Sequence, residues 1–211
     1  MKFLEILNKI EKLGYKDKIR VVAASKYVDF NAIKDFYNQG LKDFGENKIQ
    51  DLLIKQKQLE DCEISWHFIG NLQTNKINQM IKAKPVLWQS CNSFELALAV
   101  DKRLDYKLDT LIEINIANED TKNGLDADKA IEIYQKIIQN CKNLNLIGVM
   151  SIGLHSNDIN LIAKSFENTY KIYQDLQKFG AKICSMGMSG DYEIAIKSGS
   201  NMIRLGSILF K

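Results

Sequence analysis

The chain has 211 residues, of which 45% are apolar, enough for a packed core and too many for a disordered chain. A net charge of +3 with 26% charged residues, the lysines scattered along helical stretches, argues against a dedicated nucleic-acid or membrane-surface binder. Cys62, Cys91, Cys141 and Cys184 lie far apart without a CxxC pair, which argues against a zinc site and suits a cytoplasmic chain with reduced thiols.

The N-terminus, Met1-Lys2-Phe3-Leu4-Glu5, mixes charge into its apolar residues and does not read as a secretory signal. No apolar stretch approaches the ~20 residues needed to span a bilayer. Phe3, Leu4, Leu7, Ile10 and Leu13 recur at helical spacing and predict an opening helix that ends at Gly14. Strand-like and helix-like segments then alternate. The predicted strands are 19–25, 43–46, 65–70, 86–90, 110–116, 146–151, 181–186 and 202–205. Two of the helical patterns between them are well marked. Ala130, Ile131, Tyr134, Ile137 and Ile138 form one face, with Asp126 and Asp128 as cap candidates. Ile162, Phe166, Tyr170, Tyr173 and Leu176 form the other, stopped by Gly180.

The predicted strands are short and apolar on both faces, as a parallel sheet covered by helices requires. Eight strand–helix steps in about 200 residues sit at the lower limit for a closed (β/α)8 barrel. An open doubly wound sheet would carry a glycine-rich turn after its first strand, and Ser25-Lys26-Tyr27-Val28-Asp29 has no glycine. The expectation is therefore an α/β chain forming a single (β/α)8 barrel domain, residues 1–211, with an extra N-terminal helix. Pro85 is the only proline, and no linker divides the chain.

In a barrel, functional residues collect at the C-terminal ends of the strands. Lys26 follows the first predicted strand, Glu46 and Asn47 the second, Asn71 and Gln73 the third. Phosphate sites in this fold favour the loops after the last two strands, where Ser189-Gly190-Asp191 and Gly206-Ser207 fall. A strand-end lysine facing a phosphate cradle is what an aldehyde cofactor bearing a phosphate requires. That cofactor is pyridoxal 5′-phosphate, bound as an imine to the lysine. A lysine amine attacks an aldehyde only when neutral, a state that desolvation and neighbouring positive charge favour. A barrel mouth with Arg204 across from Lys26 offers both. Arg204 has a second reading, an ion pair with Glu46 or Asp191. His67 either faces the mouth or packs with its ring hydrogen-bonded to backbone, and His155 lies in the loop after the sixth predicted strand.

Several stretches carry a family resemblance: Val22-Ala23-Ala24-Ser25-Lys26, Phe44-Gly45-Glu46-Asn47, the run Trp66 to Lys76 (WHFIGNLQTNK), Gly148-Val149-Met150, and the block from Ser185 to Phe210. The chain resembles the YggS/PROSC family of pyridoxal phosphate-binding proteins, the PLP homeostasis proteins, whose barrel is similar to the N-terminal domain of alanine racemase. The resemblance spans nearly the whole chain in order. Asn71, Met80 and the terminal Lys211 depart from the family's usual choices. By position it implies that Lys26 is the Schiff-base lysine, that Ser189, Gly206 and Ser207 hold the phosphate, and that Arg204 lies beside the pyridine nitrogen. It also implies that Asn47 lies close to the ring and that Met150 lines the pocket, with Ser185 and Met188 completing the cofactor-binding set. Lys122 matches a lysine in an E-x-x-K-x-G loop at the mouth; a surface lysine is the simpler account, and its position makes it a candidate for transient cofactor contact.

Three functions compete on this reading: a PLP carrier acting in vitamin B6 homeostasis, a PLP-dependent amino-acid racemase, and an enzyme that binds another phosphorylated ligand through an imine-forming lysine. Racemisation needs an acid/base on each face of the substrate carbanion. In alanine racemase a second, β-rich domain supplies one of them, and this chain is expected to lack that domain. A permanently charged arginine also disfavours a proton on the pyridine nitrogen and weakens the ring as an electron sink. The expectation is a monomeric, cytoplasmic carrier without appreciable turnover beyond a weak PLP-dependent side activity, in transient contact at most with apo PLP enzymes, and with no nucleic-acid or membrane partner.

Overall fold

The computed structural model describes residues 3–116 and 124–210, and Lys122 lies outside the described residues. Strands β1 (Arg20–Ala24), β2 (Asp43–Glu46), β3 (Ser65–Phe68), β4 (Leu87–Cys91), β5 (Leu108–Asn115), β6 (Leu125–Asp126), β7 (Leu144–Ser151), β8 (Ile183–Ser185) and β9 (Met202–Leu205) are all parallel to their neighbours. All but β6 form a closed ring, in which β4 joins β5 and β9 returns to β1. The short β6 pairs with the end of β5 through Ile114 and Asn115, past the point where β4 stops at the Cys91–Ile112 pair. It is a rim addition that no local pattern announces.

A helix follows each strand of the ring: α2 (Phe30–Asn38), α3 (Ile49–Gln58), α4 (Ile77–Ala83), α5 (Phe94–Asp101), α6 (Ala130–Asn140), α7 (Ile159–Leu176), α8 (Tyr192–Lys197) and α9 (Ser207–Phe210). The extra N-terminal helix, α1 (Phe3–Lys12), precedes them. Side chains alternate across each strand. Val21 and Ala23 join the layer between sheet and helices, while Val22 meets Leu87, Leu111, Met150 and Met202 inside the barrel. These interior residues are at most 2% exposed, so among the described residues the barrel is filled and has no open bore. In the outer layer, Phe44, Phe68 and Phe166 are fully buried, each worth about 1.5–3 kcal/mol by transfer from water.

Helix ends follow local chemistry. The carboxylate of Asp29 accepts from Ala32 N at 2.9 Å, and the hydroxyl of Ser93 from Leu96 N at 3.1 Å, each satisfying a donor that a first turn leaves unpaired. α6 differs from expectation. Neither Asp126 nor Asp128 caps it; a 3-10 turn, Ala127–Lys129, leads in, and Asp126 pairs instead with Lys129 at 3.9 Å. α7 ends at Leu176 and continues as a 3-10 turn, Gln177–Phe179, up to the predicted stop at Gly180, whose φ of 92° side chains disfavour. On α1 the buried face is Phe3, Ile6 and Ile10, whereas Leu4 and Leu7 point outward. Among the described residues no helix is long and apolar enough to cross a membrane.

Candidate functional site

Because the strands are parallel, their C-terminal ends share one face, and there the loops enclose a cavity of about 660 Å³. Lys26 stands on its wall in the first residue after Ser25. That loop is tight: Val28 N donates to Ser25 O at 3.1 Å, and Tyr27 is held at a φ of 67° with its side chain 94% exposed. Asn47, two residues along from Gly45, lines the adjoining wall. Gly70, two residues past the end of β3, lies against it: a Cβ there would be 1.9 Å from Asn47 O, so only glycine permits the approach.

The C-terminal loops close the next wall. Ser189 Oγ accepts from Gly206 N at 3.1 Å and from Ile208 N at 3.3 Å, tying the loop after β8 to the start of α9. Asp191 Oδ1 accepts from Met188 N at 2.6 Å and fixes the bend between them. The lysine and this loop pair are neighbours and do not face each other across the barrel. Strand β9 pairs with β1, Val22 opposite Arg204, so their ends lie side by side. Sequence order, which sets them at opposite ends of the chain, conceals a contact that only barrel closure creates.

Arg204 enters the cavity from β9 and is 5% exposed. Its Nη1 donates to Ser185 O at 2.9 Å and to Ser185 Oγ at 2.7 Å, and its Nη2 to Ser151 O at 2.8 Å. Burial pulls it down to about 10, opposed by Glu113 and Asp191, and it stays charged at neutral pH. It makes no ion pair among the described residues. Glu46 is committed elsewhere, to Lys55 at 2.5 Å. Asp191 acts on Arg204 only as a nearby charge. Glu113 lies beside Met150 in the pairing of β5 with β7; burial raises its carboxyl and Arg204 opposes that shift.

The cavity thus brings together Lys26, Asn47, Met150, Met188, Ser189, Arg204, Gly206 and Ser207. Ser185 is not on its wall. It lies beneath, fully buried, and holds Arg204 in place. Apolar walls come from Val28, Ile69, Ile152 and Phe210, none of which carries a chemical signature in sequence. His155 is exposed and outside the lining.

His67 takes the packed alternative, but its partners are side chains and not backbone. Its Nε2 lies 2.9 Å from Asp43 Oδ1 and its Nδ1 2.9 Å from Gln89 Nε2, with the ring fully buried. Burial lowers the His67 pKa, and Asp43 opposes the shift. For Asp43, burial pushes the carboxyl up, but hydrogen bonds from His67 and Arg20 outweigh it and bring it below the usual value. Nothing in the sequence marks Gln89 or Asp43, since a polar residue inside a barrel strand looks like any solvated one until register is known.

The donors suit an elongated ligand with a phosphate and a carbonyl. A cavity of about 660 Å³ falls in the usual range for such ligands. Among the described residues no cluster of His, Cys, Asp or Glu could hold a metal ion.

Comparison with known proteins agrees with the architecture. Residues 6–211 match the alanine racemase N-terminal domain family. A pyridoxal phosphate homeostasis protein of Helicobacter pylori is 43% identical, over 98% of this chain and 95% of its own. One from Aquifex aeolicus is 34% identical, over 90% and 86%. Among solved structures, an unknown protein from Bifidobacterium adolescentis superposes with a TM-score of 0.91 at 29% identity, covering 98% of this chain and 91% of that one. PipY of Synechococcus elongatus, solved with PLP bound, gives a TM-score of 0.85 at 24% identity, covering 98% and 100%, a likeness of fold. With this barrel and these relatives, the chain belongs to the pyridoxal phosphate homeostasis proteins, a family built on the alanine racemase N-terminal domain.

Proposed function

We propose that the protein binds pyridoxal 5′-phosphate, attaches it to Lys26 as a Schiff base, and keeps it in reserve as a carrier serving vitamin B6 homeostasis. The observation that carries this reading is that Lys26 and the Ser189, Gly206 and Ser207 loops line one cavity. An amine beside a set of amides and hydroxyls fits a small molecule with an aldehyde near its phosphate arm. The names of the curated relatives support the same role.

The residues divide the work. Ser189, Gly206 and Ser207 bind phosphate oxygens, and Asn47, Met150 and Met188 wall the ring. A guanidinium has five N–H donors, and the contacts to Ser185 and Ser151 leave Arg204 with donors for the cavity. When bound, the cofactor supplies an aldehyde carbon to which an amine adds. Arg204, charged at neutral pH, keeps a proton off any ring nitrogen it faces, which suits retention better than carbanion chemistry.

Absorption spectroscopy of the purified protein tests the reading. A yellow band that borohydride bleaches, with the pyridoxyl group recovered on Lys26, is the expected result. Label found only on Lys48 or Lys76 would overturn it. Lys26→Ala is expected to lose the band and remain folded, because the residue is exposed.

A further inference from the structure

Two residues outside the cavity grip the backbone on which Lys26 stands. Lys55, on α3, extends its ammonium into the layer between helix and sheet. There Nζ donates to Ser25 O at 2.7 Å and to Glu46 Oε1 at 2.5 Å. The same carboxylate oxygen accepts from Ser25 Oγ at 2.7 Å. The carbonyl that Lys55 holds belongs to the peptide joining Ser25 to Lys26. Glu46 in turn directly precedes Asn47. One buried clamp therefore grips the chain immediately before two residues of the cavity wall.

Stability does not explain the arrangement. Glu46 is fully buried and the Lys55 side chain is 11% exposed, and taking both charges out of water costs more than an apolar pair of similar volume would. Glu46 Oε2 adds to that cost, because it is buried without a hydrogen-bond partner among the described residues. What an ion pair offers and an apolar pair cannot is a directional hold on a carbonyl.

We propose that Lys55 and Glu46 are positioning residues that fix the Ser25–Lys26 peptide so that Lys26 Nζ reaches the aldehyde of a ligand anchored by its phosphate. This rests on the function proposed above. In that step the nitrogen of neutral Lys26 forms a C=N bond with the aldehyde carbon, and the aldehyde oxygen leaves as water with the two protons of the amine. Misplacing a reacting atom by about 1 Å costs on the order of 100-fold in rate.

The test compares two measurements on wild type and on the double variant Lys55→Met/Glu46→Leu, which removes both charges and leaves neither buried alone. The first is the rate at which the visible band appears on mixing with pyridoxal 5′-phosphate. The second is the dissociation constant of pyridoxine 5′-phosphate, which has the phosphate and ring but no aldehyde. The expected result is attachment slowed on the order of 10- to 100-fold, with pyridoxine 5′-phosphate binding unchanged within about twofold. Ser25→Ala, which removes only the hydroxyl arm, is expected to fall between and serves if the double variant does not fold. Attachment as fast as wild type in both variants overturns the inference alone. Equal loss in both measurements also overturns it, since that is the signature of a loosened fold. A wild type that never attaches the aldehyde overturns the proposed function itself, and the clamp's role with it.

Discussion

Arg204 donates twice to Ser185, at 2.9 Å to its carbonyl oxygen and at 2.7 Å to its hydroxyl. A guanidinium only donates, so the hydroxyl proton of Ser185 points away, to Gln89 Oε1 at 2.7 Å. That turns the amide nitrogen of Gln89 towards His67 Nδ1, which must accept, and leaves the imidazole proton on Nε2 facing Asp43. Asp43 completes the series by accepting from Arg20. Every donor in this line through the barrel has one possible sense, so the direction in which Arg204 presents itself is set by residues well below the cavity.

Ser185→Ala is expected to lower stability by about 1–3 kcal/mol, because Gln89 Oε1 is left buried without its donor. Urea unfolding with an unchanged m-value measures it. Arg204 keeps its bonds to the two carbonyls, so phosphate-dependent binding is expected to weaken less than stability suggests.

His67 predicts a pH dependence. Its folded pKa lies below its ordinary value of 6.5, so the unfolded chain takes up a proton first as pH falls. Stability is therefore full above 6.5 and is lost as pH drops from there towards the folded value. Asp43, also depressed, acts in the same sense at lower pH, below 3.8. Thermal midpoints measured between pH 7.5 and 5 are expected to fall in wild type and to fall less in His67→Gln. A wild-type midpoint flat across that range would contradict the neutral, buried imidazole.

The proposed phosphate-binding role of the Ser189, Gly206 and Ser207 loops predicts discrimination between two aldehydes. Pyridoxal is expected to bind at least about tenfold more weakly than its 5′-phosphate, since hydrogen bonds to a charged acceptor are the stronger kind. Ser189→Ala, which removes the hydroxyl bonded to Gly206 N and Ile208 N, is expected to narrow that difference. Equal affinities in wild type would assign these loops another task.

Gly70→Ala tests how closely the loop after β3 presses on the Asn47 loop. A Cβ 1.9 Å from Asn47 O cannot be accommodated by side-chain rotation, so backbone must move. The expected loss is about 1–3 kcal/mol or more of stability, together with weaker ligand binding because Asn47 moves with it.

Carrier and enzyme separate on one measurement, exchange of the substrate α-hydrogen in deuterated water with loaded protein and a panel of amino acids. Exchange slower than the order of 1 s⁻¹ is expected. Faster exchange that disappears in Lys26→Ala would establish catalysis.

The barrel was legible because its rhythm is local: each predicted strand coincides with an observed one within a few residues. The cavity wall was legible where function demands a distinctive side chain, as at Lys26 and Arg204, or where a motif marked the loop. What stayed hidden depends on register and closure. The side-by-side placement of Lys26 and Gly206 follows from β9 pairing with β1. The roles of Gln89, His67 and Lys55 depend on which face of a strand or helix meets which neighbour, and an unremarkable Gln or Lys does not advertise that. Leu4 and Leu7 misled for the opposite reason, since α1 has apolar residues on more than one face and only docking selects Ile6 and Ile10.

The filled interior has a consequence for traffic. Val22, Leu87, Leu111, Met150 and Met202 plug the barrel beneath the cavity, so among the described residues a bound molecule finds no passage through to the far end. Arrival and departure must take turns, since a newcomer cannot push its predecessor out of the far side. Residence time is then governed at the rim, where Tyr27, Ile152 and Met188 stand exposed, and anything that settles on that rim halts loading and release together.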